Sequence, residues 1–99
     1  MTFGLSEADF DLFKRTVIEP LKNAGFAIYV FGSRVSGKHH LFSDIDILLE
    51  PIQAVDLSIV SKVKEAIEEA RFPIKVDFVF SDALAESYRQ RVHAEKIRI

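Results

Sequence analysis

FGSRVSGKHHLFSDIDILLE, Phe31 to Glu50, is the stretch on which the fold turns. It begins at the end of an apolar run, Phe26-Ala27-Ile28-Tyr29-Val30-Phe31, which follows Gly25. The β-branched and aromatic residues of that run predict a buried strand, ended by Gly32. A second strand, Ile45 to Leu49, lies inside SDIDILLE and is closed by Pro51. About a dozen residues part the two, too few for a full crossover helix, so the strands are expected to be antiparallel neighbours.

Working outward, Ser6 with Asp9 three residues on marks a helix start. Phe10, Phe13, Val17 and Leu21 then recur at helical spacing, and Asn23-Ala24-Gly25 is a stop with Gly25 free to take the left-handed cap. Pro20 is expected to kink or shorten this helix, because it lacks a donor and crowds the preceding turn. On the other side, an amphipathic helix is expected from about Leu57 to Ala70, with Val60, Val63, Ile67 and Ala70 on one face and Pro73 beyond it. Ile74 to Phe80 reads as a third strand. It is reached through a whole helix and so can run parallel to the second. Ser81 or Asp82 reads as the cap of a last helix through about His93, followed by a short tail to Ile99. The order α-β-(turn)-β-α-β-α predicts an α+β fold, a small mixed sheet with helices packed on it, with residues 1–99 as a single domain.

The chain has 99 residues, 48% hydrophobic and 28% charged, with a formal net charge of −2. That length supports one small core. The charge is not that of a nucleic-acid binder, and a basic group around Arg89, Arg91, Lys96 and Arg98 is the only local candidate. No direct nucleic-acid partner is expected. The absence of cysteine excludes disulfides and thiolate metal sites and suits a reducing compartment. MTFGLSEADF has no basic segment followed by an apolar one, as a secretory signal requires. No apolar run approaches the ~20 residues of a membrane span. A cytoplasmic protein with no membrane partner is expected.

From Gly32 the sequence reads G-x-x-x-x-G-K, the first seven positions of a P-loop. The eighth, which should offer Mg²⁺ a hydroxyl, is His39. A P-loop domain also needs a larger parallel sheet than this chain can build, and here the acids arrive as D-x-D twelve residues after Gly32. The P-loop reading therefore fails, and Lys38 becomes a loop lysine. What remains is a strand leading into Gly32-Ser33-Arg34. Gly32 lets a phosphate approach the backbone, Ser33 offers a hydroxyl and an amide, and Arg34 can pair with phosphate oxygens. The plain alternative is a tight turn with a capping serine.

Asp44 and Asp46 are two apart at the start of a strand, so their carboxylates share a face, while Ile45 and Ile47 point the other way. Asp77, between Val76 and Phe78, can reach the same face from the third strand. Read blandly, Asp44 caps a turn with Ser43, Asp46 is solvated and Asp77 pairs with a lysine. Against that, an unpaired carboxylate within a sheet is costly, and clustered carboxylates raise one another's pKa. A hard divalent cation removes both costs, and Mg²⁺ completes its shell with water and phosphate oxygens. Three such acids suggest Mg²⁺ bound with a phosphorylated substrate. His39, His40 and His93 fall into no spacing with the acids that makes a zinc site.

GSRVSGKHHLFSDIDILLE together with KVDFVF resembles the DNA polymerase β-type nucleotidyltransferase superfamily, and more closely its minimal nucleotidyltransferases (MNT), the small antitoxin-type proteins paired with HEPN-domain toxins. The resemblance implies that Gly32 and Ser33 hold the nucleotide's phosphates and that Arg34 adds a phosphate contact. It implies that Asp44, Asp46 and Asp77 bind Mg²⁺, two ions in all, with Asp77 assisting the acceptor nucleophile. Val35-Ser36 depart from the family's frequent Ala-Arg, which leaves Lys38 as the nearest substitute cation. The implied reaction moves AMP from ATP to a hydroxyl on a partner protein, a HEPN toxin held in a hetero-oligomer. With little chain beyond the nucleotide half, the acceptor is expected to come from the partner rather than to be a small molecule such as an aminoglycoside. The segment SYRQRVHAEKIRI is a candidate interface, or else a helix on the sheet with a loose end. The competing class is a non-catalytic module of the same fold that neutralises its partner by contact. The presence of all three acids favours catalysis.

Overall fold

The computed structural model describes all 99 residues, Met1–Ile99. Ser6 opens the first helix as its spacing predicts. The Ser6 hydroxyl accepts the Asp9 N–H at 3.1 Å, and α1 (Glu7–Phe13) follows. Pro20 does not end this rod. The chain passes through a π-helical turn, Lys14–Ile18, and resumes as α2 (Glu19–Ala24). Glu19 N–H donates to the Lys14 carbonyl, five residues back. In a regular α-helix the Pro20 ring would crowd the Thr16 carbonyl and leave it without a donor. The wider turn just before the proline absorbs that mismatch. Gly25 closes α2 at φ 112 and ψ 23, the left-handed cap, with its N–H on the Leu21 and Lys22 carbonyls.

β1 (Phe26–Phe31) leads through a one-turn helix, α3 (Ser33–Ser36), and a loop into β2 (Ile45–Pro51). The two strands are antiparallel, from Phe26 opposite Pro51 to Phe31 opposite Asp46. β2 continues through α4 (Ser58–Glu69) to β3 (Val76–Phe80), which lies parallel to it. After β3 the structure departs from expectation twice. The last helix does not start at Ser81 or Asp82: those residues form a 3₁₀ turn (Ser81–Ala83), Leu84 and Ala85 run extended, and α5 (Glu86–Glu95) begins without a side-chain cap. Leu84 is half-buried within this interruption. The tail is not loose either. Ile97–Arg98 forms β4, antiparallel to β1 with Ile97 opposite Val30, and it completes a sheet of order β3-β2-β1-β4. β1 has β2 on one side only, so its other edge is free to pair with it.

One face of the sheet is all core. Phe26, Ile28 and Val30 of β1 and Ile45, Ile47 and Leu49 of β2 meet Phe13, Val17 and Leu21 and, from α4, Val60, Val63 and Ile67 in a single apolar cluster. Ala70, expected on that α4 face, is instead exposed at the helix end. Burying each large side chain is worth about 1.5–3 kcal/mol, and a one-residue slip would turn the whole set outward. The core therefore fixes register, and register fixes what stands on the opposite face.

Candidate active site

That opposite face carries the acids. Phe31 lies opposite Asp46, and Asp46 lies opposite Asp77, so the three form a row across adjacent strands. The expectation that Asp77 reaches the face of Asp46 from a third strand is met by parallel register alone. Asp46 is half-buried, and that burial is the largest influence on its carboxyl, whose pKa is pushed from 3.8 up to about 6. The negative charges of Asp77 and then Asp44 push in the same direction, a hydrogen bond with Asp77 adds to this, and Lys75 opposes it.

Asp44 stands apart. It precedes the first residue of β2 and its side chain is exposed. Its charge reaches Asp46, but no three acidic or histidine side chains converge on one point. The sheet brings together two of the three expected acids, and the third is presented from a loop.

Gly32 sits beside this row at φ 81 and ψ −154, a conformation open in practice only to glycine. A Cβ here would collide with Asp46 Oδ2. The close approach expected of this glycine is therefore made to the chain's own carboxylate. Ser33 begins α3, and its N–H, like that of Arg34, has no acceptor within the helix. Lys38 is exposed past the end of α3, with its N–H on the Ser33 carbonyl. A hollow of about 180 Å³ opens next to Gly32, lined also by Phe31 and by Tyr88, Arg91, Val92 and Glu95 of α5.

Arg34 is not where a phosphate contact needs it. It is buried at 4% exposure. Its Nη1 donates to the Phe3 carbonyl at 2.9 Å and its Nη2 to the Leu41 carbonyl at 3.1 Å. Nε and Nη2 both donate to the Ser43 carbonyl, at 3.0 and 2.9 Å. The sequence marked this residue through its place beside Gly-Ser, but no local signal distinguishes an arginine that binds ligand from one that holds backbone. Two further residues of the site escaped sequence reading: Lys75, whose charge acts on Asp46, and Phe3, whose carbonyl takes the Arg34 bond. Both come from segments far from SDIDILLE in sequence. His40 N–H donates to Ser43 Oγ at 2.7 Å, and His39 packs against Gly4 with its Nδ1 buried and unpaired. No helix is long and apolar enough to cross a membrane.

Comparison with known proteins agrees with this architecture. The family model described as "Polymerase beta, Nucleotidyltransferase" matches residues 17–99. Over 76 residues the chain is 29% identical to a Haemophilus influenzae protein named "Probable protein adenylyltransferase MntA". That alignment takes in 77% of this chain and 66% of the relative, so the chain spans just under two thirds of the relative's length. A solved structure described as a minimal nucleotidyltransferase superposes with a TM-score of 0.60 at 29% identity, over 94% of this chain and 87% of that one. A crystal structure of a toxin–antitoxin with AMP-PNP superposes with a TM-score of 0.63, over 86% of this chain and 70% of that one. At its 24% identity the likeness is one of fold.

Proposed function

This chain belongs to the polymerase beta nucleotidyltransferase family, and on that premise we propose that it transfers AMP from ATP to a hydroxyl group on a partner protein, as the antitoxin of a HEPN toxin. The observation that carries the reading is the row of Asp46 and Asp77 on adjacent strands, with Gly32 pressed against the Asp46 carboxylate. The relative named as a protein adenylyltransferase supports AMP as the group transferred and a protein as the acceptor.

The donor set suits a hard cation. All candidate ligands are carboxylate oxygens, and the repulsion and burial that raise the Asp46 pKa are relieved by a bound positive charge. Asp46 and Asp77, with Asp44 brought in from the loop, would hold Mg²⁺, and the ion would supply charge neutralisation. The backbone at Gly32 and Ser33 holds the phosphates. Asp77 accepts the proton of the acceptor hydroxyl as its oxygen bonds to the α-phosphorus. The bond from that phosphorus to the bridging oxygen breaks, and pyrophosphate leaves. The protein's contribution is positioning and charge placement, as in other phosphoryl transfers.

The test uses ATP labelled at the α- or the γ-phosphate, incubated with Mg²⁺, this protein and its co-purified partner, with Asp46→Asn as control. Protein-bound α-label that is lost in the variant is the expected result. γ-Label alone would mean a kinase-type transfer and sink the reading. A stable partner complex with no label would leave neutralisation by contact as the function.

A further inference from the structure

Arg34 is the only buried charged side chain of the protein. No carboxylate pairs with it; the three ion pairs lie along helices elsewhere. A buried cation needs its donors satisfied, and here backbone carbonyls do so. Those three carbonyls come from two separated segments, the turn before α1 and the loop between α3 and β2. Phe3 lies in the turn before α1, Leu41 in the loop after α3, and Ser43 immediately before Asp44. The Ser43 carbonyl takes two of the donors, a fork that fixes both its position and its direction. On the far side of Asp44, Ile45 N–H donates to the Lys75 carbonyl at 3.0 Å. Asp44 therefore stands between two anchored peptide groups, one held by the sheet and one by Arg34.

The Phe3 end is itself rigid. Phe3 is buried at 5% exposure and its ring lies 6.2 Å from that of Phe10. Phe3 and Gly4 both have positive φ, 54 and 80. A Cβ on Gly4 would collide with His39 Nε2 and come to 3.1 Å from Arg34 Nη1. This turn precedes residues 17–99, the part of the chain that the family model matches.

We propose that Arg34 is a positioning residue. It touches neither nucleotide nor metal, and it sets Asp44 by clamping the Ser43 carbonyl against the Phe3–Gly4 turn. The proposal rests on Asp44 belonging to the site described above. A lysine at this position cannot span three carbonyls with a single ammonium group.

Amide hydrogen exchange without nucleotide or metal reads the clamp directly. In Arg34→Lys, the amides of residues 40–45 are expected to exchange about tenfold faster or more, while those of Phe26–Phe31 keep their rates. In the transfer assay, kcat is expected to fall about tenfold or more with the KM for ATP held within about threefold. Unchanged exchange with a KM raised about tenfold would overturn the proposal and make Arg34 a phosphate ligand. Should the wild type transfer no nucleotide, the exchange comparison still decides whether the clamp exists. Gly4→Ala strains the same turn while leaving Arg34 in place, and it is expected to speed exchange over the same residues. It carries the test if Arg34→Lys does not fold, and unchanged rates in it would then overturn the proposal.

Discussion

Asp46 and Asp77 are placed by the sheet, whereas Asp44 is placed by a loop. The first two inherit their positions from strand register, which the apolar cluster on the opposite face enforces through Ile45, Ile47 and their partners. The third lies one residue before the strand, where no ladder bond reaches the carbonyl of its preceding neighbour Ser43, and a buried arginine does that work instead. Two carboxylates side by side need only a strand period of two and the right register. Bringing in a third from another direction needs a separate anchor, and burying a guanidinium supplies one that holds several carbonyls at once. The difference also sorts their electrostatics. Asp46, half-buried among like charges, has its pKa raised, while Asp44 stays exposed at the rim.

The comparison can be broken most severely from behind the sheet. Ile47 is fully buried beneath the acid row, and Ile47→Ala is expected to cost about 2–5 kcal/mol in urea unfolding. A cost below about 1 kcal/mol would mean that the core does not hold the register of Asp46 and Asp77. Gly32→Ala comes next. It forces a positive φ on alanine and drives a methyl group into the Asp46 carboxylate, at about 1–3 kcal/mol of stability, with transfer activity lost alongside. Full activity and stability in that variant would show that the close approach is not part of the site.

The electrostatic half of the comparison is sharpened by pH. The pKa of Asp46 is higher folded than unfolded, so between pH 3.8 and about 6 the folded state binds more protons, and stability falls as pH rises. The advantage is complete below pH 3.8 and gone above about 6. Asp46→Asn removes this dependence. It should melt a few degrees above the wild type at pH 7 to 8 without metal, and level with it near pH 3.5. A melting difference between Asp46→Asn and the wild type that stays constant from about pH 3.5 to 8 would show that burial among like charges does not govern this carboxyl. The smallest effect serves as a reference far from the site. Ser6→Ala removes the α1 cap and is expected to cost about 1 kcal/mol with transfer unchanged.

Much of the frame was legible because it is written in local periodicity. The alternation in Ile45-Asp46-Ile47 and the apolar run before Gly32 each carry their own strand signal, and the short spacing between them requires antiparallel pairing. What escaped depended on partners distant in sequence. The π-helical turn that accommodates Pro20 is a cooperative adjustment of the helix. β4 is two residues long, too short for any period, and exists because β1 has an open edge. Arg34 was legible as a member of the Gly-Ser-Arg segment, but its bonds run to Phe3, Leu41 and Ser43, and nothing in the local sequence indicates which way a long side chain will fold back.

By itself, then, the sequence determined which residues are acidic on one face of a strand and where the glycine turns lie, because those properties follow from side-chain period and backbone freedom within a few residues, and it led to the expectation of a mixed sheet to carry them. Tertiary structure alone decided that Asp77 stands in register with Asp46, that Gly32 abuts the Asp46 carboxylate, and that Arg34 faces backbone rather than solvent. Those outcomes depend on how strands from distant segments pack and on which buried donors find acceptors, and that is settled only when the core closes.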